Sequence, residues 1–248
     1  MPAIRLLPTA EALSRAAAED FVLRAARGVE ASGVFRVALS GGATPRGMFT
    51  LLAEDLSLKD RVPWGKLHFF WGDERHVPPE HPESNYKAAY TLLLSRVPVP
   101  VDHIHRIHGE LADADEAARR YEDELRSFYD PGKAELPVFD LIYLGLGADG
   151  HTASLFPGTD ALTETERWVA ANWVSKFSTY RITLTAAVIN QAASVVFLVS
   201  GADKAATLKA VLRGPYIPEQ LPAQLIHPAS GDLSWLLDQA AAQELEKV

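Results

Sequence analysis

The chain has 248 residues, of which 48% are hydrophobic and 23% are charged, and its formal net charge is −8. This length fits one large α/β domain with a substantial core or, as the alternative, two small domains, and the apolar content excludes disorder as the main state. No run of Lys or Arg stands out, so we expect no nucleic-acid partner. An anionic small molecule needs only a local positive site, so this class of ligand stays open.

The chain contains no cysteine, which excludes disulfides, thiolate catalysis and cysteine-ligated metals. Charged residues interrupt the first 30 positions, so we expect no signal peptide there. No apolar run approaches the roughly 18 residues of a membrane span. We therefore predict a cytoplasmic protein without a membrane partner. We expect one domain over 1–248, acting as a monomer or small homo-oligomer.

Predicted helices and strands alternate along the chain. The first helix is capped by Thr9 and runs to about Gly28, and the second has Thr44 as its N-cap and Pro45 at its first position. Pro131 and Gly132 stop a later helix. Strands are predicted over 34–39, 67–71, 141–146, 181–185 and 194–200, and further helices over 84–96, 113–129, 201–212 and 233–243.

This alternation is typical of one α/β fold class. We predict a doubly wound, mainly parallel sheet in a single domain, with helices on both faces. The apolar run 141–146 reads as a strand that is buried on both sides, as the central strands of such sheets are.

A glycine-rich loop follows this central strand and contains His151. Open α/β sheets bind their ligands at the carboxyl ends of the strands, where glycines let a ligand approach the backbone closely. His151 is therefore either a proton-transfer group or a turn residue without a chemical role. Residues 145–150 match G-x-G-x-x-G, but Pro157 and Gly158 stop the helix that a dinucleotide site requires.

A second glycine-rich turn joins a predicted strand to a predicted helix. Its backbone N–H groups and the hydroxyls of Ser40 and Thr44, together with Gly41 and Gly42, suit an anion. The turn lacks the lysine of a nucleotide-binding loop, so a nucleoside triphosphate is not expected. The alternative is an ordinary tight turn with a threonine cap.

Three more polar residues follow predicted strands. Asp73 either orients a histidine or binds sugar hydroxyls, and Arg75 can bind a phosphate or carboxylate with two parallel hydrogen bonds. The simpler interpretation is a surface ion pair, which contributes little. Lys204 either completes a phosphate site or is a solvated lysine at the start of a helix.

His103, His105 and His108 fall in a short extended segment. Alternation places the first two on one face and the third on the other, and no further ligand is in place. We predict no metal site.

With these residues in view, the chain resembles the 6-phosphogluconolactonase family. The resemblance runs from about residue 37 to 214 in the order of the family's motifs. The matching segments are 39–45, 71–75, 83–86, 105–110, 145–157, 181–185 and 201–204.

The resemblance implies a hydrolase that needs no cofactor, with the fold of glucosamine-6-phosphate deaminase. It implies hydrolysis of 6-phosphogluconolactone to 6-phosphogluconate in the oxidative pentose phosphate pathway. His151 is then the general base that takes a proton from water, oriented by Asp149 or Asp73. Arg181 binds the hydroxyls of the substrate or stabilises the oxyanion.

The resemblance also implies that the substrate phosphate lies on the 40–44 turn, neutralised by Arg75 and Lys204. Two rival functions stay open: an aldose–ketose deaminase, and a sugar-phosphate sensor without catalysis. The deaminase has a glutamate where this chain has Phe156, and that glutamate helps its histidine to open a sugar ring. A sensor usually carries a DNA-binding segment, and the residues before Val34 predict one helix only.

Overall fold

The computed structural model describes residues 2–129 and 136–245. The strands are β1 (Ala3–Leu7), β2 (Phe35–Leu39), β3 (Leu67–Trp71), β4 (Asp73–Arg75), β5 (Leu141–Leu144), β6 (Val169–Val174), β7 (Thr179–Leu184), β8 (Ser194–Val199) and β9 (Asp232–Asp238). The α-helices are α1 (Ala10–Ser32), α2 (Ala43–Glu54), α3 (Leu56–Lys59), α4 (Asn85–Leu92), α5 (Ala114–Tyr129), α6 (Ala186–Ile189), α7 (Ala205–Arg213) and α8 (Gln239–Ala242). Short 3₁₀ helices span Trp64–Lys66, Leu94–Arg96, Val101–His103, Asp160–Leu162, Ser175–Phe177, Ala202–Lys204 and Pro222–Leu225.

A six-stranded sheet with the order β1-β9-β8-β5-β2-β3 forms the centre of the molecule, and every neighbouring pair in it is parallel. Helices cover both faces. Phe69 on β3 packs against Phe21 of α1, whereas the next residue, Phe70, packs against Phe128 of α5, with ring centroids 6.5 and 5.2 Å apart. All four residues of β5 are buried, as its continuous apolar run predicts. The predicted fold class is confirmed.

A smaller antiparallel sheet has the order β4-β7-β6. The sequence predicted the 73–75 segment only as the end of a strand, but it is a strand of its own that pairs with β7. In this pairing Arg75 lies directly opposite Arg181, and Asp73 lies opposite Thr183. Two residues that are more than a hundred positions apart in the chain are thereby neighbours on one sheet.

The predicted helix over 233–243 is wrong. Most of this segment is β9, which lies between β1 and β8, and only Gln239–Ala242 is helical. Trp235 stacks on Phe197 of β8, with ring centroids 3.8 Å apart and planes 4° apart. A short apolar run is compatible with either structure, and here pairing with two distant strands decides it. β1, the other neighbour of β9, was not predicted either.

Helix ends also differ from prediction. α1 continues past Gly28 to Ser32 and ends at Gly33, whose φ of 79° is in the left-handed region. The predicted helix over 84–96 ends at Leu92 and continues as a 3₁₀ turn. The predicted stop at Pro131 and Gly132 lies outside the described residues. No helix within residues 2–129 and 136–245 is long and apolar enough to cross a membrane.

Thr44 is not the N-cap of α2. The helix begins one residue earlier, at Ala43, and its N-cap is Gly42 with a φ of 99°. Thr44 lies in the first turn, where its hydroxyl is hydrogen-bonded to the hydroxyl of Ser200 at 2.9 Å. The hydroxyl therefore connects α2 to the end of β8 instead of capping its own helix.

Histidines cluster beside the edge strand β3. The ring of His68 stacks on His103 at 3.9 Å, and its Nδ1 is 3.0 Å from Nε2 of His105. Nδ1 of His105 in turn is 2.9 Å from the carboxylate of Glu124 on α5. Among the residues that the structure describes, no group of three or more His, Cys, Asp or Glu side chains is arranged to hold a metal ion.

Burial, and then the neighbouring charges of His103, His105 and Arg36, lower the pKa of His68 to about 4. An imidazole in the unfolded chain has a pKa of about 6.5, so the unfolded state binds more protons between these two values. The stabilising effect of neutral His68 is therefore complete above pH 6.5 and is lost as the pH falls towards 4.

We expect the free energy of unfolding to fall between pH 6.5 and 4, and His68→Gln to remove part of this fall. Because His68 is only partly buried, we expect the fall in the free energy of unfolding between pH 6.5 and 4 to be about 1 to 2 kcal/mol smaller in the variant than in the wild type. Urea unfolding at several pH values measures it. His227→Gln, which changes an exposed histidine, is the matched control. Parallel curves for the wild type and His68→Gln would contradict this account.

Candidate active site

A pocket of about 450 Å³ opens at the carboxyl ends of β2, β5 and β8. Because these strands are parallel, the segments that follow them meet at one edge of the sheet. The small sheet supplies the opposite wall. Nine of the ten predicted site residues line the pocket: Ser40, Gly41, Gly42, Thr44, Asp73, Arg75, His151, Arg181 and Lys204.

His151 lies in the loop after β5, and Asp149 is the carboxylate that contacts it. Nδ1 of His151 is 2.5 Å from Oδ1 of Asp149. The other oxygen of Asp149 accepts a hydrogen bond from Nζ of Lys176 at 2.9 Å. The imidazole stacks on Phe156 with ring centroids 4.0 Å apart. A Cβ at Gly147 would lie 1.9 Å from Nδ1 of His151, so this close packing requires glycine.

The Asp149–His151 pair is arranged for proton transfer. Its hydrogen bond to His151 is the main cause that holds the pKa of Asp149 well below its usual range. An ionised carboxylate only accepts hydrogen bonds, so Nδ1 of His151 carries the proton in the neutral ring. Nε2 of the neutral imidazole then has a lone pair with which it can accept a proton.

Asp73 is held by different partners. Its carboxylate accepts a hydrogen bond from the hydroxyl of Ser154 at 2.6 Å and from Nδ2 of Asn85 at 3.3 Å. The sequence left open which carboxylate orients His151, and in the structure the hydrogen-bonded one is Asp149. Asp73 is buried in the pocket wall, where it fixes Ser154 and Asn85.

Glu74 is a buried residue for which the sequence predicted no role. Its carboxylate accepts hydrogen bonds from the backbone N–H groups of Arg75, Asn85 and Tyr86 and from the hydroxyl of Ser84. Burial raises the pKa of Glu74, and these donors oppose that shift. Glu74 thus fixes the N-terminus of α4 to β4. Its place between two site residues was the one signal available in the sequence.

The turn that precedes α2 has the geometry of an anion site. In the described part of the chain no side chain caps α2, so the N–H groups of its first turn remain available to a ligand. The hydroxyl of Ser40 is buried and has no partner among the described residues. A Cβ at Gly41 would lie 1.8 Å from Oδ1 of Asn85, so the turn packs closely against α4.

Three cationic side chains line the pocket. Arg181 is only 8% exposed, and its Nε and Nη1 have no hydrogen-bond partner within the described residues. Burial, and then the charge of Arg75, lower the pKa of Arg181. Arg75 donates one hydrogen bond to the carbonyl of Glu83, and Lys204 contacts Asp203 at 2.9 Å. Two adjacent guanidinium groups with unused donors are suited to an anionic ligand.

Comparisons with known proteins agree on one family. Residues 8–235 match the family described as glucosamine-6-phosphate isomerases/6-phosphogluconolactonase. A 6-phosphogluconolactonase of Synechocystis sp. is 41% identical over 244 residues, which are 98% of each chain. One of Haemophilus influenzae is 37% identical, over 96% of this chain and 97% of that protein.

Solved structures show the same similarity. The 6-phosphogluconolactonase of Trypanosoma brucei superposes with a TM-score of 0.86 at 32% identity and covers 99% of both chains. A monomeric glucosamine-6-phosphate deaminase superposes with a TM-score of 0.81 at 21% identity, covering 98% of this chain and 99% of that one. At that identity the deaminase shares the fold, and the similarity says nothing further about chemistry.

Proposed function

Since this chain belongs to the family of glucosamine-6-phosphate isomerases and 6-phosphogluconolactonases, we propose that it is a 6-phosphogluconolactonase. It hydrolyses the ester bond of 6-phosphoglucono-1,5-lactone and releases 6-phosphogluconate, a step of the pentose phosphate pathway. The observation that carries this proposal is the Asp149–His151 pair at a pocket lined by three cations. The pair supplies a base, and the cations suit a phosphorylated substrate.

The reaction begins when His151 takes a proton from a water molecule. The water oxygen attacks the lactone carbonyl carbon, and a tetrahedral intermediate with a negative oxygen forms. When the intermediate collapses, the bond between the carbonyl carbon and the ring oxygen breaks, and the imidazolium returns its proton to that oxygen. Ionised Asp149 stabilises the imidazolium in between. A lactone is already a reactive ester, so no covalent nucleophile is needed.

The substrate phosphate binds at the 40–44 turn. The free N–H groups at the start of α2 donate to its oxygens, and the buried hydroxyl of Ser40 gains a partner. Arg75 and Lys204 neutralise its charge. Arg181 donates its unused Nε and Nη1 hydrogens to other substrate oxygens, either the hydroxyls or the developing oxyanion.

Phe156 argues against the deaminase reaction. The deaminase opens a sugar ring with the help of a glutamate at the position that Phe156 occupies here. In this structure the ring of Phe156 stacks directly on His151 at 4.0 Å, so an apolar surface lies where that acid–base partner would act. Lactone hydrolysis needs only the histidine and water.

The proposal is tested by assaying both reactions on the purified protein. We expect accelerated formation of 6-phosphogluconate above the spontaneous hydrolysis of the lactone, and we expect no comparable release of ammonia from glucosamine 6-phosphate. Ammonia release at a rate similar to lactone hydrolysis would refute the assignment. Activity that survives extensive EDTA treatment would further agree with a cofactor-free reaction.

Replacing His151 by Ala should lower kcat by about 100-fold or more, because the general base is lost. Binding of 6-phosphogluconate, measured by calorimetry, should remain nearly unchanged, since the phosphate site is intact. His227→Ala is the control for loss of an imidazole elsewhere on the surface. Turnover near the wild-type rate, after subtraction of spontaneous hydrolysis, would show that His151 is not the base.

Arg75→Ala and Lys204→Ala should each raise KM for the phosphorylated lactone about tenfold or more, since each removes a cation from a partly buried anion site. Neither change should much affect hydrolysis of unphosphorylated gluconolactone, which is expected to be poor in the wild type. Lys209→Ala is the matched control, because Lys209 lies on α7, the helix that Lys204 immediately precedes, but outside the pocket lining. Equal losses on both lactones would contradict a phosphate-binding role.

A further inference from the structure

The hairpin formed by β6 and β7 extends to the candidate site through its turn. Residues Ser175–Phe177 form a 3₁₀ turn, and Ser178 follows with a φ of 49° in the left-handed region. This turn presents two consecutive side chains to the site. Lys176 reaches Asp149, which is 27 positions away in the chain, and Phe177 lines the pocket.

The carboxylate of Asp149 is shared between two partners. Oδ1 is hydrogen-bonded to Nδ1 of His151 at 2.5 Å, and Oδ2 accepts from Nζ of Lys176 at 2.9 Å. The ammonium, the carboxylate and the imidazole therefore form one chain of hydrogen bonds. A carboxylate with a partner on each oxygen cannot rotate about its Cβ–Cγ bond without breaking one of the two hydrogen bonds.

Phe177, in the same turn, makes a second set of contacts with the pocket. Its ring packs edge-on against Phe156 at 5.9 Å, and Phe156 stacks on the imidazole of His151. The guanidinium of Arg181 lies 5.3 Å from the Phe177 ring, and the ammonium of Lys176 lies 5.4 Å from it. The aromatic contacts keep the turn at the site, so the Lys176–Asp149 contact does not depend on one exposed side chain alone.

We propose that Lys176 is a positioning residue of the candidate site, which fixes the orientation of Asp149 and partly compensates its charge beside His151. This inference rests on the proposed function for its catalytic consequence. Lys176 is not among the residues that line the pocket, and its hydrogen bond is to Asp149 and not to the imidazole. It acts through Asp149.

The electrostatic consequence has a definite sign. Ionised Asp149 favours the protonated form of the imidazole, and the positive charge of Lys176 opposes that effect. In the described structure the side chains hydrogen-bonded to the carboxylate of Asp149 are His151, from its own loop, and Lys176, from the hairpin. The other charged residues that line the pocket are Asp73, Arg75, Arg181, Asp203 and Lys204. Removing the lysine charge leaves the carboxylate uncompensated, so the imidazole keeps its proton to a higher pH. A protonated imidazole is not a base, so activity should fall first at low pH.

The variants that test this are Lys176→Gln and Lys176→Arg, with Lys66→Ala, an exposed lysine elsewhere, as control. For Lys176→Gln we expect the acid limb of the kcat/KM profile to move to higher pH by about 0.3 to 0.7 units, since the lysine is largely exposed and partly screened. KM should change little. Lys176→Arg, which keeps the positive charge, should have the same pH profile as the wild type, and so should Lys66→Ala.

A profile that superposes on the wild type, moves to lower pH, or loses activity equally at every pH would overturn the proposal. Added salt gives a further check, because screening of the exposed Lys176 charge should narrow the difference between the wild-type limb and that of Lys176→Gln. Thermal unfolding of each variant confirms that the hairpin is folded.

A measurement without substrate separates this inference from the proposed function. The imidazole of His151 is titrated by NMR in the ligand-free wild type and in Lys176→Gln, and its signal is identified by its loss in His151→Ala. We expect a higher titration midpoint in Lys176→Gln. If the wild type hydrolyses no lactone but the midpoint moves, the assignment of function fails and the positioning role stands. If the lactone is hydrolysed but the midpoint is unchanged, Lys176 has no such role.

Discussion

The backbone of Gly72 connects the two sheets, and the geometry of the pocket depends on this connection. Its N–H donates to the carbonyl of Leu39 at the end of β2, and its carbonyl accepts from the N–H of Leu184 at the end of β7. One residue therefore lies between β3 and β4 and pairs with both sheets. This fixes the small sheet across the carboxyl edge of the parallel sheet, where Asp73, Arg75 and Arg181 complete a site that the parallel strands alone would leave open.

Buried polar groups without partners are the second consequence of this arrangement. Leaving a buried donor unsatisfied costs about 1–3 kcal/mol, and more when the group is charged. Arg181 and the hydroxyl of Ser40 both have such atoms within the described residues, and both lie in the pocket. The folded chain can tolerate this loss of stability in the free state, because a bound ligand can supply the missing hydrogen-bond partners. An anionic substrate with many oxygens offers acceptors for the guanidinium and for the N–H groups at the start of α2.

Local sequence patterns predicted the parallel sheet and identified most of the residues that line the pocket. The apolar run of β5, the glycines after β2 and β5, and the alternation of elements are all visible in short windows of sequence. β9 was not predictable in this way, because Trp235 is placed by its stacking on Phe197 of a neighbouring strand. Thr44 likewise is a residue type that often serves as an N-cap. In the structure its hydroxyl is instead hydrogen-bonded to Ser200, which is 156 positions away in the chain.

In the site, too, some features could be predicted from short segments of sequence, whereas others depend on contacts that the fold creates. The candidate base and the candidate anion-binding turn at 40–44 each follow a strand and are visible in the sequence. The choice between Asp73 and Asp149 was not visible, because it depends on how the loop after β5 folds back. Gly147 lacks a side chain and lets the imidazole pack against the loop, so the residue two positions before His151 becomes its partner. Lys176 comes from another sheet, and no local spacing signals it.

The parallel sheet and the glycine-rich turns explain a fold that is shared by lactonases and a deaminase, so they do not decide the reaction. The surroundings of His151 carry that information. On one side its Nδ1 is hydrogen-bonded to an ionised carboxylate, and on the other its ring lies on Phe156, which can exchange no proton. In the function we propose, His151 activates water and returns the same proton to the leaving oxygen, and Phe156 offers no second acid–base group for opening a sugar ring.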